Sequence, residues 1–143
     1  STFWTDRIGP VAAMKTLEIM EREKSWKRIT SLGEKIFLIW KKLSKKYNLA
    51  INISGLPSLA KFIFISKNSQ AYRTFITQEM LRYKFLAANQ VYLSTSHNEK
   101  ILKKYSENLD EIFYKIYECE KGNLNISNIL KYPISHNPFG RLN

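Results

Sequence analysis

The first residues of the chain combine hydroxyl, acidic and basic side chains in a way that suits anion binding. Thr2, Thr5, Asp6 and Arg7 precede Pro10. Threonine and aspartate are good helix caps, and proline suits a first helical turn. Because a helix N-terminus has free backbone N–H groups, we expect chemistry suited to an anion such as phosphate. The helix that follows is indicated by apolar residues at helical spacing, namely Ala13, Met14, Leu17 and Met20.

The cysteine and histidine content argues against metal and thiol chemistry. The chain has one cysteine, Cys119, and two histidines, His97 and His136, too few for the usual zinc sites. Cys119 lies between two glutamates, whose charge disfavours a thiolate, so we expect a small helix residue. We expect His97 to cap or pack at a helix start, and His136 has no evident carboxylate or serine partner.

The charge pattern admits two interpretations. The formal net charge is +11 and the pI is about 9.8, with a lysine cluster at Lys41, Lys42, Lys45 and Lys46. Such values are typical of nucleic-acid-binding proteins. The basic residues, however, are mostly lysine and occur throughout the chain, which favours a solvated surface. A basic module that binds nucleic acid or a protein partner remains the alternative.

The length and composition predict one domain over residues 1–143, opening with a loop and a linking helix at 1–24. Of the 143 residues, 44% are hydrophobic and 13% aromatic, which is enough for a sizeable core. No apolar run has the length of a membrane span, and the first residues do not form a signal peptide. A soluble, cytoplasmic protein is therefore expected.

The hydrophobic pattern predicts an α/β (α+β) fold in which a mainly antiparallel sheet is covered by helices. A second helix capped by Ser25 and ending at Asn48 precedes a half-buried strand at 50–54, a turn, and a deeply buried strand at 61–65. A third helix starts at Ser69 or Gln70. A strand at 85–93, a long helix capped by residues 96–98, and a short helix at 124–130 follow.

Side-chain positions within these elements can also be predicted. In the third helix, Tyr72, Phe75, Ile76, Met80 and Leu81 should point inward. A glutamate in such a helix usually faces solvent, so Gln78 and Glu79 are expected at the surface. The tryptophans fall mostly on the same stripes as aliphatic residues, so Trp4, Trp26 and Trp40 are expected in the core.

Short motifs along nearly the whole chain occur in a recognisable order. The chain opens with S-T-F-W-T-D-R-I-G-P-V-A-A-M-K-T-L-E, followed by Gly55-Leu56-Pro57 and the stretches 62–65, 78–81, 85–87 and 136–142. This order resembles the C-terminal third of class III aminotransferases. These pyridoxal phosphate (PLP) enzymes include glutamate-1-semialdehyde aminomutase.

The resemblance implies that the chain is the small C-terminal domain of an enzyme that transfers an amino group through a Schiff base. The Schiff-base lysine and the aspartate that pairs with the cofactor's pyridine nitrogen would lie upstream, so this chain alone should be inactive. Thr2 matches a threonine that contacts the cofactor phosphate of the neighbouring subunit. The resemblance therefore also implies a homodimer with shared sites.

The resemblance is less informative about the substrate, which would be a small amine, keto acid or semialdehyde. Many class III enzymes bind a substrate carboxylate with an arginine from their C-terminal region, which makes Arg141 a candidate, although a surface arginine is the alternative. The stretch 92–97 lacks the longer insertion of the aminomutases and its acidic residue. Transamination and intramolecular amine transfer therefore both remain open, as does an interaction domain that has lost the catalytic portion of its ancestor.

Overall fold

A computed structural model describes residues 5–135 and contains five helices and three strands in that range. In chain order they are α1 (Ile8–Glu23), α2 (Ser25–Tyr47), β1 (Ile51–Ser54), β2 (Leu59–Phe64), α3 (Ser69–Arg82), β3 (Gln90–Tyr92), α4 (Glu99–Glu120) and α5 (Ile126–Ile129). The strands form one antiparallel sheet in the order β1-β2-β3. The predicted α+β fold with an antiparallel sheet is confirmed.

The sheet is covered on one face. In the register of β1 and β2, Ile51 lies opposite Phe64 and Ile53 opposite Phe62, and both phenylalanines are buried. Ile63, between them, is 40% exposed. The deep burial predicted for this strand therefore holds for one face only. Side chains alternate across a strand, and here the helices cover only the face that carries the two phenylalanines.

The core joins helices α2 and α4 to the covered face of the sheet through aromatic rings. The Trp40 ring lies 4.7 Å from the Phe62 ring, and the Phe62 ring lies 5.8 Å from that of Phe113. The indole Nε1–H of Trp40 donates a hydrogen bond of 2.9 Å to the Tyr105 hydroxyl. Burial raises the pKa of Tyr105, so this hydroxyl stays protonated.

Two of the predicted helix ends are confirmed and one is wrong. Asn48 ends α2 in the left-handed conformation (φ 50°), and the Asn98 side chain caps α4 by accepting a hydrogen bond from Ile101 N–H. Ser25 is not a cap. It is the buried first residue of α2, and Lys24 before it adopts a left-handed conformation (φ 48°) that turns the chain from α1 into α2.

Later segments differ from the prediction in extent and in orientation. Only Gln90–Tyr92 of the predicted 85–93 strand pairs with β2, and the short last helix spans only Ile126–Ile129 of the predicted 124–130. In α3, Leu81 is 50% exposed, whereas Gln78 and Glu79 are buried, the reverse of the prediction. The helix presents its polar pair to α4 and to the segment after α5, which sequence periodicity does not reveal.

The tryptophans divide between the core and the surface. Trp40 is fully buried, as predicted, but Trp26 in the first turn of α2 is 44% exposed, so its predicted core position is wrong. Trp4 lies outside the described residues. Trp26 lies next to the bend at Lys24, where the packed face of α2 has only begun.

Gly33 lies where α2 meets the turn between β1 and β2. A Cβ at this position would lie 2.8 Å from the Pro57 Cα and closer still to the Pro57 carbonyl. We expect Gly33→Ala to lower the free energy of unfolding by about 1–3 kcal/mol, because the Pro57 backbone must move. Urea denaturation measures this loss. Gly9→Ala is the control, since no atom lies within 4 Å of its Cβ position; equal losses for both variants would contradict this packing.

Candidate functional site

Helix α1 is apolar but has no buried residue. Its apolar residues are distributed around the helix rather than along one stripe, and Ile8 and Met14 are 75% and 72% exposed. Val11, Leu17 and Met20 are exposed as well. The helix also carries charged residues such as Lys15 and Glu18, but a group of exposed apolar side chains of this kind marks an interaction site. Helix α1 is therefore an apolar surface that the described residues leave uncovered.

The N-terminus of α1 has fewer groups available to bind an anion than the sequence predicted. The Asp6 carboxylate accepts a hydrogen bond of 3.0 Å from Ile8 N–H. Pro10 has no N–H, so of the first three helical residues only Gly9 has an amide without a partner within residues 5–135. Asp6 rather than Thr5 closes the helix end, and its negative charge opposes a second anion there.

Two of the candidate binding residues belong to the terminal segments of the chain. Thr2, predicted to contact the cofactor phosphate, and Arg141, predicted to contact a substrate carboxylate, lie outside residues 5–135, as does His136. Their roles remain predictions. His97 lies in the loop before α4, where its Nδ1 accepts a hydrogen bond of 3.0 Å from Ser94 N–H. The cap of α4 is Asn98 instead.

A cleft of about 500 Å³ lies between the sheet and the start of α3. It is lined by Lys61, Phe62, Ile63, Phe64, Ser69, Gln70, Arg73, Asn89, Gln90 and Tyr92. Strand β2 extends beyond its last residue paired with β3, Lys61, so the edge from Phe62 to Phe64 is left for α3 and Asn89 to cover. The cleft forms along this edge.

The charge of this cleft is positive. Lys61 and Arg73 line it, and no aspartate or glutamate does. Within residues 5–135, neither of these cations forms a salt bridge, whereas Lys35, Lys46 and Arg82 are paired with carboxylates. Sequence reasoning missed both residues, because Lys61 lies beside an apolar run and Arg73 lies within a helix; only the fold brings them together.

Glu79 is the centre of a second polar cluster, which lies toward the C-terminal end of α3. Its side chain is 3% exposed, and Oε2 lies 2.8 Å from Arg82 Nη1 and 3.4 Å from Lys115 Nζ. Gln78 donates to Glu79 Oε1 at 3.0 Å and accepts from Lys131 N–H at 2.7 Å. The pair therefore ties α3 to α4 and to the segment that follows α5.

The surroundings of Glu79 keep it ionised. Burial alone would raise the pKa of its carboxyl, but the Gln78 hydrogen bond and the charges of Lys115 and Arg82 outweigh burial and lower that pKa. Among the described residues, the Glu79 carboxylate is paired with Gln78, Arg82 and Lys115, and Glu79 lines neither of the two clefts that adjoin α3 at Arg73. We therefore assign the cluster to stability.

The lysine cluster on α2 is exposed. Lys41, Lys42 and Lys45 face solvent, and Lys46 pairs with Asp110 at 2.7 Å. Both a solvated surface and an electrostatic contact require exposed lysines. Cys119 is half-buried, and burial together with the charges of Glu120 and Glu118 raises the pKa of its thiol, as its sequence context indicated.

Within residues 5–135, no helix has both the length and the apolar character needed to cross a membrane. Over the same range, no three histidine, cysteine, aspartate or glutamate side chains are grouped closely enough to hold a metal ion.

The chain resembles known proteins in both sequence and fold. No protein-family model matches it. It is 25% identical over 107 residues to a 3-aminobutyryl-CoA aminotransferase from Cloacimonas acidaminovorans (strain Evry), a match that covers 75% of this chain and 25% of that protein. Among solved structures, it matches the PLP internal aldimine form of the FumI protein from Sphingopyxis sp. MTA144 with a TM-score of 0.72.

The structural match extends over most of the described residues. It covers 91% of this chain at 14% sequence identity. The fold is that of part of a PLP-bound protein. The chain spans 25% of the length of the aminotransferase and 32% of the length of the FumI chain, so both relatives contain a large portion with no counterpart here.

Proposed function

We propose that the chain is the C-terminal domain of a PLP-dependent class III aminotransferase or aminomutase, with residues 1–143 forming one domain and residues 1–24 its linking segment. Two similarities support the proposal: the sequence similarity to an aminotransferase and the fold shared with a PLP-bound protein. Both relatives are several times longer than the matched region, as expected if this domain works together with a larger one.

The observation that carries the proposal is the uncovered apolar surface of α1. A helix with Ile8 and Met14 more than 70% exposed needs a large apolar partner surface. The rest of the enzyme supplies this surface in the proposal, together with the second subunit of a homodimer. An isolated basic binding module would have no need for such a helix.

The described residues do not form a phosphate site for the cofactor. The start of α1 is closed by Asp6, and the charge of that carboxylate would repel a phosphate. In the proposal, Thr2 contributes the one contact of this domain with the cofactor phosphate, and Arg141 contacts the substrate carboxylate. PLP supplies an electron sink when bound. The lysine that holds it belongs to the larger portion, so this chain alone is inactive.

The finer assignments follow from the sequence motifs. We place the enzyme in the branch of the glutamate-1-semialdehyde aminomutases, with a small amine, keto acid or semialdehyde as substrate and a cytoplasmic location. The order of motifs from Gly55 to Leu142 supports the branch. The short 92–97 segment is compatible with amine transfer to an acceptor and with transfer within one molecule. Identification of the reaction products distinguishes the two.

Thr2→Val tests the proposed cofactor contact. We expect the variant of the natural protein to bind PLP about tenfold more weakly, because the hydroxyl loses a hydrogen bond to a charged phosphate. Titration of the cofactor-free protein with PLP, followed by its absorption, measures the change. Thr30→Val on the exposed face of α2 is the matched control and should bind PLP like the unchanged protein. Equal affinities for the two variants would contradict the role of Thr2.

A further inference from the structure

The face of the sheet that α2 and α4 leave uncovered carries large apolar side chains. Strand β2 directs Leu59, Lys61 and Ile63 to this face, because Ala60, Phe62 and Phe64 between them are buried. Tyr92 on β3 lies opposite Leu59 and is exposed as well. We propose that this face packs against the portion of the same polypeptide that lies outside this chain, and that this portion places a carboxylate against Lys61. The inference rests on the proposed function, which makes the chain one domain of a larger enzyme.

The sequence of β2 is that of a strand buried on both faces. An antiparallel sheet with one face in water normally alternates apolar and polar side chains. Residues 62–65, by contrast, are continuously apolar. The helices cover the two phenylalanines of this run, whereas Ile63 and Ile65 on the other face stay exposed. A row of exposed large apolar side chains marks a contact surface, so the sequence indicates a second layer on this face.

The portion of the polypeptide outside this chain is the occupant that the comparisons favour. The match to the FumI protein covers 91% of this chain and 32% of the FumI chain. In a protein of that length, most of the polypeptide lies outside this domain and is available to form the second layer. The uncovered sheet face is separate from the apolar residues of α1, so it adds a second contact surface to the one that carries the proposed function.

The charge of the face opposes a second copy of this chain as the occupant. Among the described residues, the three strands contain no aspartate or glutamate, and Lys61 lies in the middle of the β2 row. Lys61 forms no salt bridge within residues 5–135, and Arg73 lines the same cleft beside it. In a two-fold contact each sheet would meet its own copy, so the lysines would face each other without a carboxylate on either sheet. A covering surface that excludes water must instead pair with the ammonium group, which requires a carboxylate.

Cysteine labelling of the natural protein tests whether the face is covered. Ile65→Cys is compared with Leu38→Cys, because these positions are 70% and 64% exposed in this domain alone. Labelling by iodoacetamide is located by peptide mass spectrometry, and each rate is divided by the rate of the same variant after denaturation. We expect Ile65→Cys to be labelled at least about tenfold more slowly than Leu38→Cys, because a covered thiol reacts only when its cover opens.

A charge reversal tests the carboxylate. Lys61→Glu, added to Ile65→Cys, should raise the labelling rate about fivefold or more, because two carboxylates would then face each other in the contact. Lys42→Glu reverses an exposed lysine of α2 and is the matched control, which should leave the rate at Ile65→Cys unchanged. Equal effects of the two reversals would contradict a carboxylate at Lys61.

Photo-crosslinking identifies the occupant. Tyr92 is replaced by p-benzoylphenylalanine in the natural protein, which is then irradiated and digested. We expect a crosslink to a peptide outside residues 1–143, within a product that keeps the mass of a single chain. A product of twice that mass would show that a second copy covers the face, and a crosslink to residues 136–143 would show that the end of this chain does. Either product, or the absence of a crosslink, would overturn the proposal.

The outcomes for this face and for the proposed function can be told apart. Equal relative labelling rates of Ile65→Cys and Leu38→Cys in a protein that binds PLP would overturn the packing of the sheet and leave the proposed function intact. A protected Ile65→Cys with the expected crosslink, in a protein that binds no PLP, would refute the proposed function and leave the packing intact. The labelling comparison needs no charge reversal, so it stands even if Lys61→Glu folds poorly.

Discussion

Replacement of Trp40 by alanine is expected to lower the free energy of unfolding by about 3–5 kcal/mol. The side chain is fully buried, and its ring lies 4.7 Å from the Phe62 ring, at the point where α2 meets the covered face of the sheet. Alanine leaves a cavity between α2 and the sheet. This cavity cannot close unless the helix moves. The loss also frees the Tyr105 hydroxyl, which accepts the indole hydrogen bond. Urea denaturation followed by circular dichroism measures the change.

Two further variants separate packing from hydrogen bonding. Trp26→Ala removes a tryptophan at a position that is 44% exposed, and it should lower the free energy of unfolding much less than Trp40→Ala. Tyr105→Phe keeps the ring but leaves the Trp40 Nε1–H without its acceptor, which should cost about 1–3 kcal/mol. If the two tryptophan variants were equally destabilised, Trp40 would not be at the centre of the core.

The double variant Arg82→Met/Lys115→Met is expected to lose about 3–5 kcal/mol, because it leaves the Glu79 carboxylate buried without a compensating charge. Glu79 is 3% exposed, and these two cations are its salt-bridge partners among the described residues. Adding Glu79→Gln should recover most of the loss, since a neutral amide then replaces the unpaired charge. A triple variant as unstable as the double one would show that the cations act through packing rather than through Glu79.

The pH dependence provides an independent check on this cluster. The pKa of Glu79 is lowered in the folded protein, so its contribution to stability is present above the pKa of the unfolded chain and is lost as the pH falls through the folded value. In the double variant, the charges of Lys115 and Arg82 no longer oppose burial and only the Gln78 hydrogen bond does, so the pKa of Glu79 is higher than in the unchanged protein. The difference in the free energy of unfolding between the unchanged protein and the double variant should therefore shrink as the pH is lowered below the usual pKa range of carboxyl groups.

Local signals in the sequence were sufficient to predict the helices and the antiparallel pairing of β1 with β2. The apolar stripe of α2 places Ile36, Trp40 and Leu43 in the core, and the asparagines at positions 48 and 98 mark helix ends through their own backbone and side-chain preferences. The antiparallel pairing of β1 with β2 follows from a short turn between two apolar strands. These features depend on residues a few positions apart.

Features that depend on distant residues could not be predicted. Glu79 appeared to be a solvent-facing residue because its partner Lys115 lies on α4, 36 positions along the chain. Asn89 hydrogen-bonds Phe62, 27 positions away, and no periodicity marks it as buried. The one-sided burial of β2 was also missed, because an apolar run does not reveal how many faces the helices cover.

The candidate sites divide in the same way. Thr2 and Arg141 were selected from motifs, and both lie outside residues 5–135, so their roles rest on the proposed function. The α1 helix was predicted, but its exposed apolar surface was not, because exposure depends on what the rest of the protein supplies. The cleft with Lys61, Arg73 and Asn89 was found only in the folded structure.

The most direct test of the central proposal is made on the natural protein, purified from its own cells and treated with borohydride before its intact mass and peptides are measured. We predict a mass well above the 16.8 kDa of this chain and a reduced PLP attached to a lysine outside residues 1–143. A mass close to 16.8 kDa with no bound PLP would contradict the assignment to an aminotransferase and would favour a binding role.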